Sequence, residues 1–444
     1  MLDALAIGLI PYKDFNIIQG PLVPSICAIF LKIFGQEMIV TRFLAIILDS
    51  AILILAYIIM DKLEIKDYCK YFILLILFII MQTYFTLDYN WATLLLVLII
   101  TCIEINKKAS WKKELYLGIL AGVAFTIKQS TGIIIILAVL GWKILEVRNI
   151  AEFKEYIKIL FMRILGMFIV LSMFFLILIK IKAFSDYIDY CILGIKTFTN
   201  KISYFDRLIK NSNILIKILS ISPLFIYSFL GYEYIKTNKK EFLILFTYGI
   251  AEMSVVYPIS DESHFVLGIV PTLISIGYLL NILTKKINEK VEKSLYIFLN
   301  AMICVFCISY LIYGIDAYKS QNTNMKLEHF KYLPMDKESI LDIQQIEDFI
   351  VSNDRKVYIL DATSALYMIP INRYNKDFDL FMKGNLGSKG EDGQIERIKK
   401  EENKLILIKN KKYKRNWQNP EKVRDFIVNN MNKVGEIGVF DIYE

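Results

Sequence analysis

The chain has 444 residues, 56% of them hydrophobic, with a mean hydropathy of +0.47, and its apolar residues come in blocks of membrane-span length. This places it among multi-span membrane proteins, and the net charge of +8 falls mostly between the apolar blocks, so it reads as a topology signal with no support for nucleic-acid binding. Only two histidines are present, which excludes a His-rich zinc site, and the six cysteines form no disulfide framework. A divalent cation held by carboxylates stays compatible with the composition, but no residue is assigned as a metal ligand.

The first stretch, Gly8 to Gly35, cannot be a span. Pro11, Pro21 and Pro24 interrupt any continuous helix, and Lys13 and Asp14 sit in its first half. From Leu22 to Phe34 the pattern is helical, but that length gives about 20 Å against a hydrocarbon core of about 30 Å. Such a helix is expected to lie along the membrane surface.

Ten spans follow, at 39–60, 70–86, 91–105, 114–127, 131–147, 163–182, 213–232, 241–257, 265–283 and 295–316. Gly118, Gly122 and Gly132 predict close helix packing in the fourth and fifth. Alternate loops differ in charge. Lys62/Lys66/Lys70, Lys107/Lys108/Lys112/Lys113, Arg148/Lys154/Lys158/Arg163, Lys236/Lys239/Lys240 and Lys285/Lys286/Lys290/Lys293 fall in one set. The turns 87–90, 128–130 and 258–264 and the long loop 183–212 fall in the other. The positive-inside rule makes the first set cytoplasmic, so residues 1–37 and everything after about 317 are expected outside.

After residue 317 helices are predicted over 339–352, 394–402 and 420–430, and strands over 356–360, 405–408 and 436–442. That alternation predicts a small α/β domain. The glycine-rich stretch Lys383–Gly393 lacks the spacing of a phosphate-binding loop and reads as a flexible loop. The expected whole is an α-helical polytopic membrane protein of about ten visible spans (38–316), preceded by a loop with an interfacial helix (1–37) and followed by an extracytoplasmic α/β domain (317–444).

The run Gly8, Pro11-Tyr12-x-Asp14-Phe15, Gly20-Pro21 and a short helix ending in Phe34-Gly35 resembles the first extracytoplasmic loop of GT-C glycosyltransferases. The resemblance is to the family 39-like group, which includes protein O-mannosyltransferases and lipid A aminoarabinose transferases. It implies a GT-C-like bundle, a polyprenyl-phosphate sugar donor, an acceptor in the cell envelope, and a bacterial plasma membrane location. A re-entrant or linking loop of another polytopic protein is the other reading. Family members begin with a membrane helix followed by an acidic motif; here Asp3 is the only earlier acid. A fuller gene product is therefore expected to carry one more helix before Met1.

On this topology four polar features share the outer face: Asp14, Asp88 in Thr86-Leu-Asp-Tyr-Asn90, Lys128 in Thr126-Ile-Lys-Gln-Ser130, and Asp261-Glu-Ser-His264. Glycosyl transfer from a lipid phosphate needs a carboxylate to take the acceptor's proton and a cation to stabilise the departing phosphate. The resemblance carries the first role to Asp14 or Asp88 and the second to Lys128, with Gln129 beside it. Tyr12, Arg42, Asp49, Glu262 and His264 complete the candidate polar pocket. Each has an ordinary reading as well. Asp88 suits a helix N-cap, Asp14 a turn, Lys128 an interfacial side chain, and Asp49 a helix-to-helix hydrogen bond. Two further functions fit the same sequence: a transporter of lipid-linked sugars, or a noncatalytic relative acting as a binding or assembly subunit.

Overall fold

The computed structural model describes residues 2–84, 87–106, 108, 110–197, 203–206, 214–257, 259–284, 288–320, 322–323, 327–368, 371, 373–376, 378, 380–413 and 418–444. Thr86, Lys107, Pro258, Lys285, Lys286 and parts of the long loop at 198–202 and 207–212 lie outside the described residues. The chain divides into two compact units, 1–43 with 175–200 and 314–444, and 44–174 with 201–313.

In chain order the helices are α1 (Leu2–Ala6), α2 (Leu22–Phe34), α3 (Met38–Lys62), α4 (Asp67–Tyr84), α5 (Tyr89–Ile105), α6 (Trp111–Ile127), α7 (Gln129–Gly141), α8 (Ile150–Lys180), α9 (Phe184–Tyr187), α10 (Ile214–Thr237), α11 (Lys240–Met253), α12 (Glu262–Leu283) and α13 (Glu289–Ser320). Each of the ten expected spans has its helix, α3 to α8 and α10 to α13. Six, counting α7 with its 3-10 extension to Glu146, are long and apolar enough to cross a membrane by themselves among the described residues.

Within the second unit α12 is the central element, with 78% of its apolar window buried, whereas α13 has 6%. Pro271 interrupts α12, where Ser275 Oγ donates to the Pro271 carbonyl at 2.8 Å. The Tyr227 and Thr272 hydroxyls meet at 2.8 Å between α10 and α12. The glycines expected to allow close packing do so. A Cβ on Gly118 would lie 2.0 Å from the Arg163 carbonyl, and one on Gly166 2.2 Å from the Leu115 carbonyl, so α6 and α8 meet backbone to backbone. Gly132 sits equally close to Phe125 of α6.

One expectation needs correction here. Arg163 was assigned to a basic loop, but α8 starts thirteen residues earlier than expected and Arg163 is fully buried within it. Its guanidinium donates to Glu104 at 2.7 Å, to Glu114 at 2.7 Å and to the Val139 carbonyl. Trp142 Nε1 and the Tyr248 hydroxyl also donate to Glu104, and Lys143 pairs with Glu114 at 2.9 Å. Burial without these partners would be prohibitive, so the network accounts for the charges in the bundle.

The first unit contains the N-terminal loop and the C-terminal sheet. Tyr12 adopts a φ of +67°, is fully buried, donates to the Gln19 carbonyl at 2.6 Å and packs edge-on against Tyr187. Strands β1 (Asn322–Thr323) and β2 (Pro334–Met335) pair antiparallel. The main sheet has β3 (Lys356–Ile359), β4 (Lys404–Lys409), β5 (Lys433–Ile437) and β6 (Phe440–Tyr443) in the order β3-β4-β6-β5, with only β3 and β4 parallel. Helices α14 (Lys337–Ser352), α15 (Ala365–Met368), α16 (Gly390–Lys400) and α17 (Glu421–Asn430) accompany it. Val357, Ile359, Leu405 and Leu407 share one core with Ile343 and Ile346 of α14. Tyr358, Leu360, Ile406 and Ile408 share another with Ile398 and Val423. Period-two alternation between two covered faces explains why these strands read as unbroken apolar runs.

The single last strand expected at 436–442 is instead a β5–β6 hairpin turning at Gly438, whose φ is +49°. Lys383–Gly393, expected as a flexible loop, makes hydrogen bonds to other segments and runs into α16 at Gly390. The Lys383 amide donates to the Gln418 carbonyl, and the Ser388 amide to Asp189 Oδ1 at 3.0 Å.

Two outcomes follow. Gly118→Leu must separate α6 from α8 and should cost about 3 kcal/mol, seen as a lower melting temperature in detergent, while Gly141→Leu, with nothing within 4 Å of its Cβ position, should not change it. In α14, burial pushes the Glu347 carboxyl up to about 7. The folded protein then holds a proton that the unfolded chain has lost above pH 4.5, so this residue destabilises increasingly as pH rises from 4.5 through 7. Glu347→Gln should strengthen hydrogen-exchange protection of α14 at pH 8 and leave it unchanged at pH 4; equal effects at both would contradict this.

Candidate functional site

The second unit gathers its polar groups where α5, α6, α7, α11 and α12 begin or end. Asp88 precedes α5 as its N-cap, and its Oδ1 accepts from the amides of Asn90 at 2.7 Å and Trp91 at 3.1 Å. This satisfies two of the amides a helix start leaves unpaired. It also fixes Asn90, which is buried and offers its side-chain oxygen inward.

Lys128 is the joint between α6 and α7 and lies in neither helix. Its backbone is extended, and the close approach of Gly132 to α6 makes the turn tight. The side chain therefore points into the bundle. Its Nζ donates to Asn90 Oδ1 at 2.7 Å and lies 5.5 Å from the centre of the Tyr89 ring. Burial pushes the ammonium down to about 8, against the opposing pull of the Asp88, Glu252 and Asp261 carboxylates. Gln129, the first residue of α7, is buried beside it.

Glu252 in α11 is completely buried, and among the described residues neither of its carboxylate oxygens has a hydrogen-bond partner. Asp261 caps α12, accepting from the His264 amide at 2.9 Å, and its Oδ1 lies 2.6 Å from His264 Nδ1. One buried ammonium thus faces three acids, with an amide oxygen as its direct partner. Such a site holds a cation ready for an anion while limiting its charge until the anion arrives. Among the described residues no group of three or more His, Cys, Asp or Glu side chains is arranged to hold a metal ion.

Residues 19–177 match the family described as dolichyl-phosphate-mannose-protein mannosyltransferase. The fold is similar to ArnT from Cupriavidus metallidurans bound to undecaprenyl phosphate, with a TM-score of 0.55 at 9% identity over 96% of this chain and 87% of that one. The chain has a GT-C-like fold. ArnT from the same organism in the apo state gives 0.52 at 9% identity, over 100% of this chain and 91% of the other. The archaeal oligosaccharyltransferase AglB from Archaeoglobus fulgidus, in complex with an inhibitory peptide and a dolichol phosphate, gives 0.50 at 9% identity, over 92% and 64%. No curated protein matches the chain.

The bundle brings Asp88, Lys128, Gln129 and the Asp261–His264 turn together, while Glu262 is exposed at the first turn of α12. Asp14, Tyr12 and Arg42 belong to the other compact unit. There Asp14 Oδ2 accepts the Ile10 amide at 2.7 Å, and Arg42 is exposed on α3. Tyr12 is a core residue of its loop, with both its ring and its hydroxyl engaged. Asp49 accepts from Gln82 of α4 at 3.3 Å, a helix-to-helix bond. Sequence reasoning missed Glu252 and Asn90. Glu252 carried a usable signal, an acid inside an apolar span; Asn90 carried none.

Replacing Asp88 by Ala removes the cap of α5 and should destabilise by about 1 kcal/mol; Asp88→Asn, which can still accept the Asn90 amide, should restore most of it. Equal melting temperatures for all three proteins would contradict the capping role.

Proposed function

We propose that this chain transfers a sugar from a polyprenyl-phosphate donor to an acceptor of the cell envelope, on the extracytoplasmic face of a bacterial plasma membrane. The observation that carries the proposal is the buried ammonium of Lys128, held by the neutral Asn90 and faced by acids. Phosphate oxygens can take the place of the Asn90 oxygen and gain a charge-assisted bond. The undecaprenyl phosphate of the ArnT structure and the dolichol phosphate of the AglB structure support a donor of that class.

In the reaction the acceptor hydroxyl attacks the anomeric carbon, the bond from that carbon to the phosphate oxygen breaks, and the phosphate leaves with the electron pair. Lys128, with the amide of Gln129, stabilises the charge on the leaving phosphate. A carboxylate takes the hydroxyl proton, a role we assign to Asp88 or Asp14. In this reading residues 1–37 and 317–444 lie outside the cytoplasm, α2 lies along the membrane surface, and the C-terminal α/β domain contributes to acceptor binding.

The test follows release of polyprenyl phosphate from a polyprenyl-phosphate sugar in membranes containing the protein. Lys128→Ala should slow release about 100-fold or more. Because the free ammonium titrates near 8, the charge that binds phosphate is present below that pH and is lost as pH rises through it. Affinity for polyprenyl phosphate should therefore decline above pH 8 in the native protein, and the decline should vanish in Lys128→Ala. Undiminished release by Lys128→Ala would overturn the assignment; movement of intact donor across vesicles without release would identify a transporter.

A further inference from the structure

A second site lies in the same unit, lined by residues that the donor reading does not use. A cleft of about 490 Å³ runs between α10 and α11, lined by Gly231, Tyr234, Ile235, Leu243 and Phe246, with Leu145. Arg148 and Asn238 stand at one end of it. Those two and Tyr234 also line a wider polar cavity of about 520 Å³, together with Lys143, Lys240, Glu152 and Glu155. The apolar cleft and the polar cavity thus adjoin at Arg148, Tyr234 and Asn238.

The location is interfacial by construction. Asn238 follows the last residue of α10, Lys240 opens α11, and Arg148 lies between the 3-10 turn Trp142–Glu146 and α8. Gly231 to Ile235 are within two turns of the α10 end, and Leu243 and Phe246 within two turns of the α11 start. The cleft thus descends from the helix ends along the apolar flanks. Gly231 keeps it open, since even a Cβ there would already touch the Phe246 ring at 3.4 Å.

Charge decides what fits. Lys143 is committed to Glu114, Lys240 to Glu146 at 3.1 Å, and Glu155 to Lys158 at 3.4 Å. Glu152 accepts the Arg148 amide, leaving the Arg148 guanidinium bonded only to the neutral Asn238 Oδ1 at 3.0 Å among the described residues. A phosphate suits that guanidinium. A purely anionic head would then meet the Glu152 carboxylate, whereas a head carrying an ammonium next to its phosphate would satisfy both signs. We infer that this composite cleft binds one ethanolamine-type phospholipid, its phosphate on Arg148 and Asn238, its ammonium toward Glu152, and an acyl chain along Gly231–Phe246. Lipid held here would pack α10 against α11, the helix that carries Glu252.

The test titrates the full-length, delipidated protein in detergent with a tail-labelled ethanolamine phospholipid, and separately with glycerol-headgroup phospholipid and with polyprenyl phosphate. Saturable binding of one ethanolamine lipid is expected, about five-fold or more tighter than the glycerol lipid, equivalent to about 1 kcal/mol. Arg148→Ala, at an exposed position, should weaken it about five-fold or more, and Gly231→Leu should abolish it with an unchanged melting temperature. Absence of saturable binding, equal or tighter binding of the glycerol lipid, competition by polyprenyl phosphate that Lys128→Ala does not remove, or an unaffected Arg148→Ala would each overturn the inference. Lys128→Ala itself should leave ethanolamine-lipid binding unchanged, which separates this site from the donor site.

Discussion

The bundle depends on the register of α5, α6 and α8, and one buried guanidinium sets that register. Arg163 lies between Glu104 near the end of α5 and Glu114 near the start of α6, and also reaches the Val139 carbonyl of α7. A buried ion pair of this kind contributes little net stability compared with an apolar substitute, but losing one partner costs about 3–5 kcal/mol. Its effect is therefore to reject other alignments. The opposite ends of two of these helices carry the site, Asp88 and Asn90 at the start of α5 and Lys128 at the end of α6. Sliding α6 by one turn would move the Lys128 junction about 5.4 Å, well beyond its 2.7 Å contact with Asn90. The geometry at one end of the unit is thus inherited from the charge pairing at the other.

Glycine enables this arrangement and restricts it. Gly118 and Gly166 let α6 and α8 meet at backbone distance, and Gly132 folds α7 back on α6. Between helices in a membrane, where apolar surface has no preference for protein over lipid, such close approach is a principal source of association. The same tightness makes Lys128 point inward, because a turn of one extended residue leaves its side chain no route outward. Position and charge at the site therefore arise from residues that never touch a substrate.

Much of this was legible in the chain. The apolar blocks located all ten helices, and the limits of α2 were read to the residue from Pro21 and Gly35. The glycine spacing correctly marked α6 and α7 as closely packed. What escaped was long-range. Arg163 looked like a loop charge because its partners Glu104 and Glu114 are 59 and 49 residues away. Asn90 looked ordinary because its partner is 38 residues on. The β5–β6 hairpin was merged into one strand, since Gly438 is a single-residue signal inside an otherwise extended run. Local patterns report which element forms; they do not report which buried charge faces which.

Two helices consecutive in the chain, α12 and α13, experience different surroundings. With 78% of its window enclosed, α12 is held by protein on nearly every side, and its Thr272 and Ser275 hydroxyls are satisfied there. With 6% enclosed, α13 is held mainly by Lys66 pairing with Glu292 and by the ring pairs Tyr71–Tyr296 and Phe78–Tyr310 on α4. The solvent of α13 is lipid. Its tilt is consequently a property of the bilayer's thickness as much as of this sequence, and a thicker or thinner membrane will reorient that one helix while the core beside it stays as it is.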